Sequence, residues 1–174
     1  MNEKDQSASP QGSEYEVHTC TPALLSAAEI SVCADIVVVG DAVDSASARR
    51  NLPRARLLAI ARTKGQIVGV AAIKHERPWY AAKTSRDSGV AFAKNTLELG
   101  YVAVLPAHQN KKLSQRLVKA LLAEYTAPLF ATTYTEYMKR TLGKAGFANK
   151  GKEWQGRRHM VSFWEKGADA PEKV

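Results

Sequence analysis

The sequence predicts a single α/β domain in which a mixed, mostly antiparallel sheet is flanked by helices. Apolar segments at 56–62 and 66–74 predict one hairpin, and the segment 147–166 predicts another. Between the hairpins, strand-like segments at 97–105 and 128–133 are joined by an amphipathic helical pattern. A helix that joins two strands of one sheet places them parallel, so we expect a central parallel pair.

Length and composition fit one folded domain over residues 14–166. The chain has 174 residues, of which 45% are hydrophobic, enough for a complete core. The polar stretches 1–13 and 167–174 predict a disordered N-terminal tail and a polar C-terminal tail. No apolar run reaches the roughly eighteen residues of a membrane span, and Cys20 and Cys33 lack metal-site spacing. We therefore expect a reduced, cytoplasmic protein that binds no metal and no membrane.

The N-terminal third is predicted to hold one strand and two helices. A weak alternation predicts a strand at 14–20, and the Thr-Pro pair after it is typical of a helix start. The Ala- and Leu-rich segment 23–34 then predicts a helix, and 44–51 predicts a shorter one. The β-branched run 36–39 fits either the end of the first helix or a short strand.

The segment 75–95 follows the first hairpin and is long and irregular in sequence. A long connection beside a sheet edge is a common place for a substrate loop. Trp79 and Tyr80 are its candidate substrate-binding residues, since aromatic rings can stack on an acceptor. The alternative is that these two rings anchor the segment to the body of the domain.

The stretch 97–122 contains the strongest functional pattern. Pro106 ends the predicted strand, because proline has no N–H to donate to the ladder. Leu113, Leu117 and Leu121 then recur every four residues, which predicts an amphipathic helix over 109–124. A strand that leads directly into a helix leaves backbone N–H groups free at the helix start, where the dipole also favours phosphate.

This stretch resembles the acyl-CoA pyrophosphate loop of the GNAT superfamily of N-acetyltransferases, whose pattern is V-x-P-x-x-[QR]-x-x-G-x-[GA]-x-x-L. The matching residues are Val104, Pro106, Gln109 and Leu117. Lys112 replaces the first glycine and the small Ser114 approximates the second, so the motif is degenerate. Further along, Gly146-Phe147 resembles the Gly-Phe pair that ends the helix before the last hairpin of the family.

The resemblance implies that the two central strands splay apart and that the thioester of acetyl-CoA, the co-substrate, lies in the gap. It assigns strand backbone to the pantetheine and acyl carbonyl, and loop amides with nearby lysines to the pyrophosphate. The implied cofactor-binding residues are Val102, Ala103, Val104, Gln109, Asn110, Lys111, Lys112, Leu113 and Ser114. Glycine lets the loop backbone approach the phosphate closely. A lysine at position 112, in an ordinary helical conformation, either compensates for this approach with its positive charge or blocks the site with its side chain.

The implied chemistry is attack of an amine on a thioester, for which a base that takes the amine proton is useful. Glu98 stands eleven residues before Gln109, where several family members carry that base. The alternative for Glu98 is a carboxylate in solvent or in an ion pair.

A general acid for the leaving thiolate is not evident at the family position. That position, four residues before the Gly-Phe pair, is Leu142. Tyr134 and Tyr137 lie in the predicted helix 134–145 and are the candidate catalytic substitutes, with ordinary packing as the alternative for each.

The net charge of +8 is concentrated in the C-terminal half, where 139–158 contains seven basic residues against one acid. A positive face attracts anionic partners, although a solvated surface is an equal alternative. Trp154 and Arg157 are candidate substrate-binding residues, because an aromatic ring beside arginines can hold a nucleic acid by stacking and phosphate contact.

These patterns together predict an N-acetyltransferase that moves an acetyl group from acetyl-CoA directly to an amine. The acceptor stays open between a small amine, a protein and a nucleic acid, and the basic C-terminal half favours an anionic macromolecule such as RNA, DNA or protein. The alternative is a non-catalytic GNAT-fold protein that binds a nucleic acid or protein partner, which the departures at Lys112 and Leu142 favour. The sequence leaves the oligomeric state open.

Overall fold

The computed structural model of the protein describes residues 13–40 and 43–168. Within these residues, one sheet is formed by β1 (Glu16–Cys20), β2 (Leu57–Thr63), β3 (Gln66–Ile73), β4 (Leu97–Val104), β5 (Leu129–Thr133), β6 (Ala148–Gln155) and β7 (Met160–Lys166). The helices are α1 (Ala27–Val39), α2 (Ser45–Asn51), α3 (Pro78–Ser88), α4 (Leu113–Glu124) and α5 (Glu136–Lys144). Nearly all of the predicted tails, 1–13 and 167–174, lies outside the described residues.

The seven strands follow the order β1-β2-β3-β4-β5-β7-β6. Every neighbouring pair is antiparallel except β4 and β5, which are parallel. The predicted mixed α/β sheet with a central parallel pair is therefore confirmed. The splay is present as well, because β4 and β5 pair only at Leu97↔Leu129 and Glu98↔Phe130.

Two apolar cores lie on the sheet. The leucines predicted on one face of α4 are all buried in the first core, together with Leu99 and Leu129 from the central strands. The second core is formed by α1 and α2 against β2 and β3, with Cys33 and Ile36 fully enclosed. Both central strands contribute to the first core, and α4 covers β1, β2, β3 and β4 on that side.

The first helix begins and ends later than the predicted 23–34. The Thr-Pro pair starts only a short 3₁₀ turn, whereas Ser26 caps α1 by a reciprocal pair of hydrogen bonds with Glu29. The ambiguous run 36–39 belongs to this helix, because burial of Ile36 and Val37 in the second core outweighs the β propensity of these residues.

The expectation of an irregular segment at 75–95 is wrong. Residues 78–88 form α3, with Pro78 at its first turn and Gly89 ending it at φ +73°. The helix packs against β6 and β7. Phe92 follows it and stacks on Phe130 and Phe163, with ring centroids 4.8 and 5.2 Å apart.

Two later helices also start after their predicted positions. α4 begins at Leu113, because a 3₁₀ turn over Pro106–His108 and a turn at 109–112 come first. α5 begins at Glu136, where the Thr135 hydroxyl accepts a hydrogen bond from the Met138 amide. None of the helices in the described residues is both long and apolar enough to cross a membrane.

Candidate active site

The central strands separate immediately after the pair Glu98↔Phe130. Beyond this point β4 continues to Val104 and stays bonded to β3, while β5 stays bonded to β7. Their facing edges therefore offer backbone N–H and C=O groups that are not used in a strand ladder. We call this gap the fork.

A β-bulge shapes the β4 side of the fork. The register with β3 changes between Ala72↔Gly100 and Val70↔Ala103, and Tyr101 adopts a left-handed φ of +53°. The irregular backbone thus lies directly before Val102 and Ala103, on the part of β4 that borders the fork.

A buried ion pair lies at the start of the fork. The ammonium nitrogen of Lys74 is 3.0 Å from Glu98 Oε1 and 4.3 Å from the centroid of the Tyr101 ring. Lys74 is 8% exposed and Glu98 is 5% exposed. Glu98 is thus neither a solvent carboxylate nor a free one, and the predicted alternative of an ion pair is present.

Gly100 gives the Lys74 side chain its path to Glu98. A Cβ atom at this position would lie 2.7 Å from Lys74 Cε and 3.0 Å from Nζ. Sequence analysis did not identify Lys74. The one sequence signal for Lys74 is the alternation of β3. Residues two positions apart in a strand lie on the same face, so Lys74 shares a face with the small, buried Ala72.

The charges of this cluster stabilise an ammonium at Lys74. Burial opposes the charge, yet the Glu98 carboxylate outweighs burial and raises the pKa of Lys74 above its ordinary value. The negative charge of Glu98, followed by burial, raises the pKa of Tyr80. Tyr80 therefore stays a protonated phenol, and its hydroxyl lies 3.3 Å from Thr132 Oγ1 on β5.

The two aromatic residues predicted to bind substrate have different environments. Tyr80 is half-buried beside Phe130, with ring centroids 6.3 Å apart, so it lies against the fork. Trp79 is 64% exposed on the outside of α3. The Arg77 guanidinium lies over both rings, 4.7 Å from the Tyr80 centroid and 5.3 Å from that of Trp79.

A small cavity of about 10 Å³ adjoins the ion pair. It is lined by His75, Arg77, Tyr80, Thr96, Glu98 and Phe130. Two buried polar atoms, Glu98 Oε2 and His75 Nδ1, have no hydrogen-bond partner among the described residues. Burial, followed by the positive charges of Arg54, Arg77 and Lys74, lowers the pKa of His75.

The loop before α4 and the first turn of this helix contain backbone amides that the fold does not use. No backbone hydrogen bond in the described part of the chain uses the N–H groups of residues 111–115, and no side chain caps the helix. Gln109 closes the loop by donating from Nε2 to the Val104 carbonyl, 3.2 Å away. Lys111 and Lys112 are exposed, whereas Leu113 and Ser114 are buried.

The expected helical conformation of Lys112 is wrong. Its φ of +58° lies in the left-handed region, and Asn110 has a φ of +63°. The turn from strand to helix requires this geometry, which explains why the family pattern has a glycine there. The side chain of Lys112 remains in solvent.

The tyrosines predicted as general acids lie apart from the buried ion pair. Tyr134 precedes α5 and stacks on His159, with ring centroids 4.1 Å apart. Tyr137 is on α5 and is 43% exposed. Leu142 is fully buried in the first core, consistent with its having no part in chemistry.

The predicted basic surface is partly neutralised. Lys139 contacts Glu136 and Glu153 at 2.9 and 3.2 Å, and Lys150 pairs with Glu165. Of the two candidate acceptor contacts, Trp154 is half-buried on β6, and Arg157 is exposed in the turn between β6 and β7. No group of three or more His, Cys, Asp or Glu side chains among the described residues has the arrangement of a metal site.

The fold is similar to that of solved acyl-CoA N-acyltransferases. An acyl-CoA N-acyltransferase from Pseudomonas aeruginosa superposes with a TM-score of 0.62 at 11% identity, over 88% of this chain and 99% of that one. A GNAT-family acetyltransferase from Streptococcus agalactiae superposes with a TM-score of 0.64 at 11% identity, over 90% of this chain and 96% of that one. A GNAT-family acetyltransferase from Elizabethkingia anophelis, with acetyl-CoA bound, superposes with a TM-score of 0.58 at 12% identity, over 90% of this chain and 99% of that one. These likenesses define the fold as that of an acyltransferase.

The family follows from the sequence itself. The model of the acetyltransferase (GNAT) family matches residues 29–143, and the chain belongs to this family. The matched region includes the buried ion pair, the fork and the loop before α4. No functionally curated protein is detectably similar in sequence.

Proposed function

We propose that this protein is an N-acetyltransferase that transfers an acetyl group from acetyl-CoA directly to an amine bound beside it. The observation that carries the proposal is the fork, which opens at Glu98 next to the unpaired amides before α4. Acetyl-CoA is an elongated thioester with a pyrophosphate at one end. The unpaired strand edges can bind its chain, and the unpaired amides at the start of α4 can bind its pyrophosphate.

The residues around the fork fit acetyl-CoA. Backbone groups of Val102, Ala103 and Val104 would bond the pantetheine and the acyl carbonyl. The amides from Asn110 to Ser114 would hold the pyrophosphate, and the exposed Lys111 and Lys112 add charge-assisted contacts. The bound molecule supplies an activated thioester.

Glu98 is the proposed acceptor of the amine proton. Its Oε1 is held by Lys74, which leaves Oε2 for the proton. Lys74 positions the carboxylate at the last paired residue of β4, and Gly100 keeps that position accessible to Lys74. For the leaving thiolate, Tyr134 is a better candidate acid than Tyr137, because it directly follows β5 whereas Tyr137 lies further along on α5.

The acceptor is proposed to approach between α3 and the turn that joins β6 and β7. Tyr80 and Trp79 belong to the first of these elements, and Trp154 and Arg157 belong to the second. Because acidic neighbours neutralise part of the basic surface, a protein or small anionic amine suits this side as well as a nucleic acid does.

One observation favours a binding protein without activity. The Lys74–Glu98 pair already occupies one of the two carboxylate oxygens of Glu98, which reduces the availability of this carboxylate as a base.

Calorimetric titration with acetyl-CoA tests the main proposal, and micromolar binding is expected. Reversing charge by Lys111→Glu with Lys112→Glu should weaken binding about tenfold, equivalent to roughly 1.4 kcal/mol. Lys119→Glu, exposed further along α4, is the matched control. Absence of binding by the folded protein would contradict the proposal and favour the binding module.

A further inference from the structure

The cavity beside the ion pair has the size and polarity of a site for one water molecule. Its volume of about 10 Å³ is near the space that a single water requires. Buried waters occur where buried polar groups lack protein partners, and here these groups are Glu98 Oε2 and His75 Nδ1. The carboxylate oxygen accepts one hydrogen bond and an unprotonated imidazole nitrogen accepts the other, so a bridging water can donate to both.

We propose that a buried water in this cavity joins Glu98 Oε2 to His75 Nδ1, and that His75 relays the amine proton from Glu98 to solvent. This inference rests on the proposed acetyl transfer. The geometry supports it in two ways. Lys74 occupies Oε1 and thereby directs Glu98 toward the cavity through its other oxygen. His75 lines the same cavity and is partly exposed, so it connects the cavity with the surface.

The charges around His75 suit an imidazole that accepts a proton only briefly. Arg54 follows α2, Arg77 precedes α3, and Lys74 follows β3; burial and these three cations lower the pKa of His75. Glu98 is the acidic side chain in the cavity wall, and the protonated Tyr80 lies beside it. The ring is therefore neutral near neutral pH, and a proton that reaches it is readily released.

The proton transfers balance for one turnover. As the amine nitrogen bonds to the acyl carbon, its proton passes to Glu98 Oε2. Glu98 returns to a carboxylate by giving this proton to the water, which gives one of its own to His75 Nδ1. His75 then loses its Nε2 proton to solvent, and Lys74 stays charged throughout. After product release the ring takes a proton from solvent on Nε2 and gives up the one on Nδ1 through the cavity water, which restores the starting tautomer. The C–S bond breaks with its electron pair on sulfur, and the thiolate takes a proton from the proposed acid Tyr134, which regains one from solvent. The amine proton released through His75 is thereby matched by the proton taken up by sulfur.

The water site can be tested without any activity. Nitrogen-15 NMR of His75 should show the Nε2–H tautomer, and the ring should show cross-relaxation with a slowly exchanging water. Thr96 also lines the cavity, so Thr96→Ile should fill it and remove the water signal. Thr96→Val, which keeps nearly the same volume, should retain the signal. A proton on Nδ1, or cross-relaxation unchanged by Thr96→Ile, would overturn the proposal.

The relay is tested by turnover as a function of pH. His75→Asn keeps a hydrogen-bonding group near the Nδ1 position but cannot titrate. We expect a decrease in kcat of about ten- to a hundredfold, at the low end of acid–base effects, with unchanged acetyl-CoA affinity. The acidic limb of the wild-type kcat/KM profile due to His75 should disappear. If His75→Asn has the same kcat and the same pH profile of kcat/KM as the wild type, the relay is overturned. If the wild type binds no acetyl-CoA, the proposed function fails and the relay with it, while the NMR result still decides the water site.

Discussion

Lys74 and Glu98 form their buried ion pair at the last position where β4 and β5 are joined, with Nζ and Oε1 3.0 Å apart. The pair joins three features of the site. Its carboxylate marks the start of the fork, its ammonium lies on the Tyr101 ring at the bulge, and its second carboxylate oxygen borders the cavity. A change in either residue should therefore affect both stability and chemistry.

Lys74→Met should destabilise the protein by about 3–5 kcal/mol, because it leaves the Glu98 carboxylate buried without its counter-charge. Urea unfolding measures the change. In the double variant with Glu98→Leu, most of the loss should be recovered, since an apolar pair of similar volume avoids the desolvation penalty. A loss in the single variant below about 1 kcal/mol would mean that water reaches the pair freely.

Gly100→Ala should move the Lys74 side chain without changing any charge. The added methyl would lie 2.7 Å from Lys74 Cε, and the side chain has little room to shift because it is buried. We expect a loss of stability of about 1–3 kcal/mol, typical of an overpacked site. Gly143→Ala is a useful control, since a Cβ there meets nothing closer than 4.0 Å. Equal stability of both variants would show that Lys74 can leave Glu98 at little cost.

Glu98→Gln should reduce turnover by about 10²–10⁴-fold if Glu98 takes the amine proton. The amide keeps the shape of the side chain but not its basicity. Acetyl-CoA affinity, measured by calorimetry, should stay at the wild-type value. Glu124→Gln at the exposed end of α4 serves as the control for a lost carboxylate. Unchanged turnover in Glu98→Gln would exclude Glu98 as the base.

The fold was predictable from local patterns, and Glu98 from the resemblance to the family, but the partner of its ion pair, Lys74, was not. The two hairpins, the parallel pair and the loop before α4 each follow from a short run of residues. Lys74 and Glu98 meet because β3 and β4 are paired in one register, and that register changes only beyond Gly100, at the bulge beside Tyr101. Nothing local in the sequence specifies a bulge at a tyrosine.

Two other differences have similar physical causes. α3 was missed because residues 75–95 lack a regular apolar period, and the helix is stabilised by its contacts with β6 and β7. The backbone of Lys112 was misjudged because a left-handed residue is imposed by the turn that starts α4, against the preference of lysine. In both cases tertiary structure outweighs local propensity.

Lys112→Gly should raise the free energy of unfolding by about 0.5–1 kcal/mol. A left-handed backbone costs a non-glycine residue roughly 1–2 kcal/mol, and the greater freedom of glycine in the unfolded chain offsets part of the gain. Asn110→Gly should gain less, because asparagine tolerates a positive φ. Urea unfolding compares the two. A loss of stability in Lys112→Gly would show that the lysine side chain makes a stabilising contact that outweighs its strain.

Protonation of His75 should lower the stability of the protein in mildly acidic solution. Burial and the neighbouring Arg54, Arg77 and Lys74 hold the pKa of His75 below its ordinary value of 6.5 in the folded state. Between that folded value and 6.5 the unfolded chain binds more protons, so stability rises with pH across this window. The contribution is present above 6.5 and is lost as pH falls through the folded pKa.

The variant His75→Asn isolates this contribution, because it removes the titrating ring. Three carboxylates have pKa values that hydrogen bonds lower: Glu29 through the Ser26 amide, Asp44 through the Ser47 amide and Asp87 through the Lys83 ammonium. The stability that these carboxylates contribute is therefore lost only in more acidic solution. Urea unfolding between about pH 7.5 and 5 should therefore show a steeper loss of stability for the wild type than for the variant. Parallel curves would mean that the folded protein accepts the proton on His75 as readily as the unfolded chain does. The ring would then have to face solvent rather than the cavity beside Glu98.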